Sequence, residues 1–299
     1  MGRYPLWNMF VCEYRCQKHD AQDVMDIDLD KGRLIVFFAG LAALIVVEQL
    51  FKARKNSMPL FRRVALHATV AVINTVFVRV LVYVPMLLWI VYVEQMGWGL
   101  ARWLNLHGWL EFVISIIVLD AFDYFWHRAN HRVPFFWRFH KTHHMDNDLD
   151  VFTALRFHPG ELIISTLVKA FWVVIWGPSV IAWFLFEVLV SLCAQMHHSN
   201  VDLPDTIERL FARILVTPRF HTAHHLVDRR FGDKNFSTIF SFWDPIFGSL
   251  AEQLPREQIR AKPIGLPEAR DQTLSLLQLL SEPFNTRNLN LMDDRKNLG

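Results

Sequence analysis

Charge is scarce in this chain. Lys plus Arg number 31 and Asp plus Glu 29 among 299 residues, 20% in all, against about 25% in an average soluble domain. The net charge of +2 excludes a nucleic-acid binder carried by bulk charge. A hydrophobic content of 53% excludes a disordered chain and a coiled coil. Three cysteines are too few for a disulfide framework, so secretion is not implied. Met1 to Gly32 has charges throughout and no apolar central run, so no secretory leader is expected. Leu6 stands where a myristoylation signal wants Ser or Thr. Internal repeats of about 20–50 residues and low-complexity tracts are absent. Neither HExxH nor HxxEH occurs, which leaves a zincin without its general base.

The apolar residues that are present are bunched. Four blocks stand out: Leu34 to Leu50 with Glu48 near its end, Val64 to Met96 with Asn74 and Arg79 inside, Leu110 to Trp126 with Asp120 and Asp123, and Leu162 to Met196. A bilayer core of ~30 Å needs about 20 helical residues, so the first two blocks qualify as spans and the third is marginal. Gly177-Pro178 divides the fourth into limbs of about 15–18 residues, which reads as a hairpin. Four such blocks leave too little polar surface for a soluble fold. The expected architecture is an all-α integral membrane bundle of about four spans or hairpin limbs, carrying a cytosolic helical cap. Lys52, Arg54, Lys55, Arg62 and Arg63 lie between the first two blocks, and positive loops stay inside. Everything from His127 onward then emerges on the cytoplasmic side. Pro255, Pro263 and Pro267 mark a polar loop, and Leu274, Leu277 and Leu280 follow at helical spacing. The chain is divided accordingly into a polar segment 1–33, a membrane-embedded domain 34–250, and a C-terminal stretch 251–299 with a polar tail.

Histidine is the one polar residue in surplus. Eleven of the 14 fall between His127 and His225. They read His127-x3-His131, His140-x2-His143-His144, His158, His197-His198, and His221-x2-His224-His225. On a helix, positions i and i+4 lie 40° apart and i+3 lies 60° to the other side, so each pattern aims several imidazoles at one region. His19, His67 and His107 stand alone and read as ordinary hydrogen-bonded or surface side chains. The clustered set suits iron, zinc, copper or nickel. One metal takes at most about six ligands, so eight or more imidazoles argue for two. Asp120 and Asp123 share the helix face of His127 and His131. They are expected to orient ligand imidazoles through the second ring nitrogen, Asp123 more than Asp120. Thr217-Pro218 starts the last triplet's helix as N-cap and first residue. Asn74 and Arg79 are polar residues in a costly place, suited to helix packing, a carboxylate partner or a substrate head group.

HRANH, HKTHH and HTAHH, followed by NFSTIFSFWDPIFGS, resemble the fatty acid hydroxylase (sterol desaturase) superfamily in its bacterial form. RFHP, HHSNVDLP, TPRFHTAHH and PIGLP are similar to its further segments. The resemblance runs over roughly residues 62–248. It implies a membrane-embedded all-α enzyme with a histidine-only centre of two iron ions. Such an enzyme uses dioxygen and an external electron donor, of reductase, ferredoxin or cytochrome b type, to hydroxylate or desaturate an aliphatic C–H in a lipid. The ligands it implies are His127, His131, His140, His143, His144, His221, His224 and His225, with His198 matching the additional histidine better than His197. His158 matches the His-Pro position and is carried as a further metal ligand. Trp243 and Asp244 match a structural Trp-Asp element. Phe236-Ser237 departs from the Tyr-Gly usual after the family's Asn, which bears on loop packing and removes no ligand. The implied setting is a bacterial inner membrane, with lipid partners and no nucleic acid. The substrate stays open between sterol, fatty acid, carotenoid and alkylglycerol chemistry. A membrane zinc hydrolase or a non-catalytic metal-binding membrane protein is the rival reading, since zinc also accepts imidazole.

Overall fold

Each apolar block becomes helix. The structure, a computed structural model, describes residues 31–269 and 275–285, with the side chains of all of these but 75–80. Most of the segment 1–33, His19, Leu274, the tail beyond 285 and the Arg79 side chain lie outside the described residues. In chain order the main helices are α1 (Lys31–Leu50), α2 (Leu60–Val78), α3 (Val84–Gln95), α4 (Leu100–Trp103) and α5 (Gly108–Arg132). They continue as α6 (Pro134–His144), α7 (Pro159–Trp176), α8 (Val180–His198), α9 (Asp205–Phe211) and α10 (Pro218–His224). Among the described residues no strand forms beyond three isolated bridges.

Lys31–Leu50, Leu81–Trp103, Pro159–Trp176 and Val180–His198 are long and apolar enough to cross a membrane. The second block is therefore not one span from Val64. Helix runs from Leu60 to Gln95 through a π turn at Arg79–Tyr83. The turn precedes Pro85, whose ring cannot donate into an ordinary α ladder. Before the turn, Arg63, His67, Val70 and Asn74 are buried at helical spacing. The α2 half thus turns a largely polar stripe inward, which suits a cap rather than a bilayer.

One end of the bundle is closed by two glycines. Gly177 (φ 71) ends α7 in the left-handed region, and Gly99 (φ 100) lies against it. A Cβ on Gly177 would meet the Trp98 carbonyl at 2.0 Å, so both positions demand glycine. Arg102 donates to the Gly177 carbonyl (2.9 Å) and pairs with Glu111 (2.9 Å), which accepts from the Ser179 amide (3.0 Å). Ile90, Val93, Leu119, Val173, Trp176 and Phe186 form the core between these helices. The hairpin at Gly177-Pro178 is as the sequence predicts.

The opposite end is held by ions. Glu48 accepts from the amides of Val151 and Asn200, both at 2.7 Å, and so joins α1 to the loops after α6 and α8. Arg63 reaches Asp146 (2.9 Å), Asp148 (3.4 Å) and Asp150 (2.5 Å) with its side chain 2% exposed. Burial alone would raise the Asp146 carboxyl, but Arg63 and Arg156 beside it hold it well below the usual carboxylate range. Arg54 donates to the carbonyls of Ile259 and Lys262. Two of the five cations expected to mark a cytoplasmic loop are therefore internal ties, because three aspartates and two carbonyls compensate them.

The C-terminal stretch packs back onto this end. Arg256 and Arg260 pair with Asp202, and Lys141 pairs with Glu282 (2.7 Å). Its short helix, Leu276–Ser281, buries Leu279 and leaves Leu277 77% exposed. The packed face is thus one residue away from the expected Leu274-Leu277-Leu280 stripe, because Ser275 and Gln278 form the capping box that sets the helix start. Replacing Arg63 by Met strands three buried carboxylates, and removing one partner of such a pair costs about 3–5 kcal/mol. The variant is expected to unfold at clearly lower temperature in detergent; an unchanged midpoint would show that the network does not hold the cap.

Candidate metal centre

The histidine-bearing helices end at one place. Val133 breaks α5 before Pro134 starts α6, so His131 and His140 face each other across a short corner. Thr217 caps α10, accepting from the Phe220 amide, with Pro218 as first residue as expected. His198 closes α8. Two groups of ring nitrogens result. His127, His131, His140, His144 and His224 form one; His143, His198, His221 and His225 form the other. Within each group the candidate ligand atoms lie within 4.8 Å of one another.

Both HxxHH motifs are divided between the groups. The i and i+4 histidines of the first, His140 and His144, go to one group and His143 to the other. In the second motif His221 and His225 share a group, and His224 crosses over. The 100° step of a helix produces this split, since i+3 and i+4 fall on either side of i. His144 stacks on His225 across the divide, with ring centroids 4.4 Å apart.

The second nitrogens set the tautomers. His127 Nδ1 donates to the Phe236 carbonyl (2.9 Å), His224 Nδ1 to the Lys234 carbonyl (2.7 Å) and His198 Nδ1 to the Ala194 carbonyl (2.7 Å). His140 Nδ1 meets Glu161 Oε1 at 2.7 Å. A carbonyl can only accept, so the rings of His127, His198 and His224 present Nε2 as a lone pair. His198 Nε2 lies 3.0 Å from Nε2 of both His143 and His221, and His221 Nε2 lies 3.1 Å from that of His225. The Nε2 atoms of His140, His144 and His224 are buried with no hydrogen-bond partner. Buried polar atoms are otherwise paired, so this donor set fits metal ions that accept the lone pairs. Burial, reinforced by neighbouring imidazoles, keeps His143, His144, His221 and His225 well below the usual histidine range, and pushes His224 down to about 3. All are then neutral, the form that ligates.

His158 stands apart from both groups. As N-cap of α7, its Nδ1 accepts from the Gly160 amide (2.9 Å), and its Nε2 donates to the Leu280 carbonyl (3.1 Å). With both nitrogens engaged, it ties α7 to the C-terminal helix. His197 also lies outside the groups. Its ring is 4.1 Å from that of His221, and it hydrogen-bonds to the Thr238 backbone.

Asp120 and Asp123 do not orient histidines. Asp120 accepts from the amides of Ile239 (2.9 Å) and Phe240 (3.0 Å) and from the Trp243 indole (2.8 Å). Asp123 faces Lys169 at 3.5 Å. They lie seven and four residues before His127, about 10 and 6 Å down the helix, while the second nitrogens point towards the loop above. Asp244 accepts from the amides of Phe236 and Ser237 and from Ser249, a structural role as the sequence predicts. Phe236 packs its ring 5.2 Å from that of His131. The orienting carboxylate is instead Glu161, which sequence reasoning passed over. Its signal was an acidic residue in the first turn of a helix that opens on His-Pro.

Glu161→Gln is expected to weaken metal binding about 10- to 100-fold while the chain stays folded, whereas His158→Ala keeps its metal. Metal content after dialysis against a graded chelator separates the two; equal loss from both would contradict the assignment. The metal-free protein should also lose stability as pH falls below about 6.5, where unfolded histidines charge and the buried ones do not. A thermal midpoint that stays flat from about pH 8 to pH 5 would refute this.

The sequence profile of the fatty acid hydroxylase family matches residues 112–249, a stretch that holds all the clustered histidines. Human alkylglycerol monooxygenase is 33% identical over 130 residues, 43% of this chain and 28% of that protein. Human lathosterol oxidase is 27% identical over 148 residues, 48% of this chain and 47% of that protein. An ornithine lipid hydroxylase of Rhizobium tropici is 24% identical over 140 residues, 46% and 41% respectively. The matched stretch spans less than half the length of each of these relatives. No solved structure matches. Residues 112–249 are thus similar to the fatty acid hydroxylase family, and the relatives matched there are lipid and sterol monooxygenases, oxidases and hydroxylases.

Proposed function

We propose that this protein is a dioxygen-dependent lipid C–H hydroxylase or desaturase built around two iron ions. The observation that carries this reading is the pair of histidine groups with their lone pairs converging. One ion would be held by His127, His131, His140, His144 and His224, and the other by His143, His198, His221 and His225. Ligand nitrogens about 2.1 Å from an ion and 90° apart lie about 3.0 Å from each other, whereas a tetrahedral angle sets them about 3.4 Å apart. The Nε2 separations of 3.0–3.1 Å in the second group are close enough for neighbouring nitrogens to share one ion. The carboxylate nearest the groups, Glu161, bonds His140 through Oε1, which suits it to orienting a ligand imidazole.

When bound, the iron pair supplies the redox chemistry that dioxygen-dependent oxidation of a C–H bond requires. The chain's own residues do the rest. Glu161 and three backbone carbonyls keep the Nδ1 protons on their rings, so ligation does not depend on tautomer drift. Phe157 stacks on His143 at 4.6 Å, and Phe236 and Trp137 pack against His131, which excludes water from the centre. An apolar substrate reaches the centre from the bilayer side, where the spans adjoin it. Electrons come from a separate reductase, ferredoxin or cytochrome b. Lys52, Lys55 and Arg62 remain exposed and favour a cytoplasmic orientation of the metal face in a bacterial inner membrane.

Purified protein is expected to hold two irons per chain and to form hydroxylated or desaturated lipid only with dioxygen and a chemical reductant. One zinc per chain with product formed under nitrogen would overturn the proposal. His143→Ala should lose metal and turnover yet still insert in the membrane; full metal retention would contradict the ligand assignment.

A further inference from the structure

Beside the bundle core, α1, α2, α3, α7 and α8 line a partly open cavity of about 590 Å³, within the roughly 300–1,000 Å³ typical of ligand pockets. Its walls are mainly apolar, with Phe37, Met86, Ile90 and Trp183 among them. Among the polar groups that break this apolar lining, two bear on what it holds. At one point Asn74 is 8% exposed, and its Oδ1 has no hydrogen-bond partner. Its Nδ2 donates to the Phe157 carbonyl (2.9 Å), and the Phe157 ring stacks on His143. This part of the cavity is thus one residue removed from the metal centre. Elsewhere Lys169 and Glu187 face each other at 3.0 Å, with side chains 20% and 25% exposed. Asp123, on α5, lies 3.5 Å from Lys169, and the aromatic faces of Trp183 and Phe186 lie 5.9 and 5.6 Å from the ammonium.

An ion pair at this depth needs polar company. Glu187 and Asp123 engage two of the three ammonium donors of Lys169, which leaves one, and Glu187 Oε2 remains available as an acceptor. A hydroxyl accepts from the first and donates to the second at once. A carboxylate can only accept, and it would meet the charge of Glu187. A plain alkyl chain satisfies neither group.

We propose that Lys169 and Glu187 form a hydroxyl-binding subsite, and that the cavity holds a neutral long-chain lipid alcohol whose chain passes Asn74 towards the histidine centre. The proposal rests on the reading of that centre as a lipid oxygenase and adds the polar group that its substrate carries. Arg33, which carries the other charge of the lining, lies over the Tyr83 ring at 4.1 Å. An anionic head group would be drawn there instead, and the test separates the two.

Full-length protein in detergent micelles is titrated at about pH 8, where fatty acids are ionised, with dibrominated octadecanol, octadecanoate and octadecane. Quenching of tryptophan fluorescence reads binding, and Trp183→Phe isolates the signal from the cavity. Octadecanol is expected to bind at least about tenfold more tightly than octadecanoate. Glu187→Gln should weaken octadecanol about tenfold and leave octadecane within about twofold. Tighter binding of octadecanoate, or an octadecanol affinity indifferent to Glu187→Gln, overturns the subsite. Should that variant fail to fold, the ranking of ligands by the unmodified protein decides alone. The readout is independent of turnover, so iron content and oxygen dependence can fail while the subsite stands, and the reverse.

Discussion

Buried imidazole lone pairs that point at one another are the constraint on which this fold depends. Two groups, of five and four rings, are packed with every ring but His127 buried and several nitrogens 3.0–3.1 Å apart. Neutral rings in that arrangement repel weakly and leave acceptors unmet, a cost that ions at their centres reverse. Until the ions are present, the remaining structure has to hold the rings in place. It does so through the outer nitrogens, bonded to the carbonyls of Ala194, Lys234 and Phe236 and to Glu161.

Those outer partners are themselves fixed by polar ties between distant segments. Asp120 and Asp244 both grip the 236–243 loop, and through it they hold the carbonyl that orients His127. Glu48 and Arg63 clamp the loops after α6 and α8. Apolar packing between spans is little better than packing against lipid, so buried hydrogen bonds and ion pairs decide which segments meet. Several of the few charges in this sequence serve this task. Arg102 and Glu111 do the same at the hairpin end.

Lys169, Glu187 and Asp123 are an exception of a different kind, because their ion pair keeps surface towards a cavity instead of disappearing into a joint. The cavity runs from that pair to Asn74, whose neighbour Phe157 is stacked on His143. The cavity and the histidine groups therefore meet through a single aromatic contact. The scarcity of charge leaves the cavity a mainly apolar wall with isolated charges set into it.

Periodicity and composition made the helices, the Gly177-Pro178 hairpin and the clustering of the histidines legible, because 100° per residue and the width of a bilayer are local rules. The Thr217-Pro218 start and the structural role of Asp244 were equally legible from turn and motif chemistry. Partner choice was not. Asp123 shares a helix face with His127, yet it meets Lys169, 46 positions onward, and Arg63 looked like a loop cation until Asp146, Asp148 and Asp150 closed around it. Sequence alone determined that imidazoles gather and how each HxxHH motif fans out. Only the tertiary structure decided how the motifs divide between two groups, which carboxylate steadies a ring and that His158 is engaged elsewhere, because those outcomes depend on which helix ends meet across 21 to 122 residues of chain.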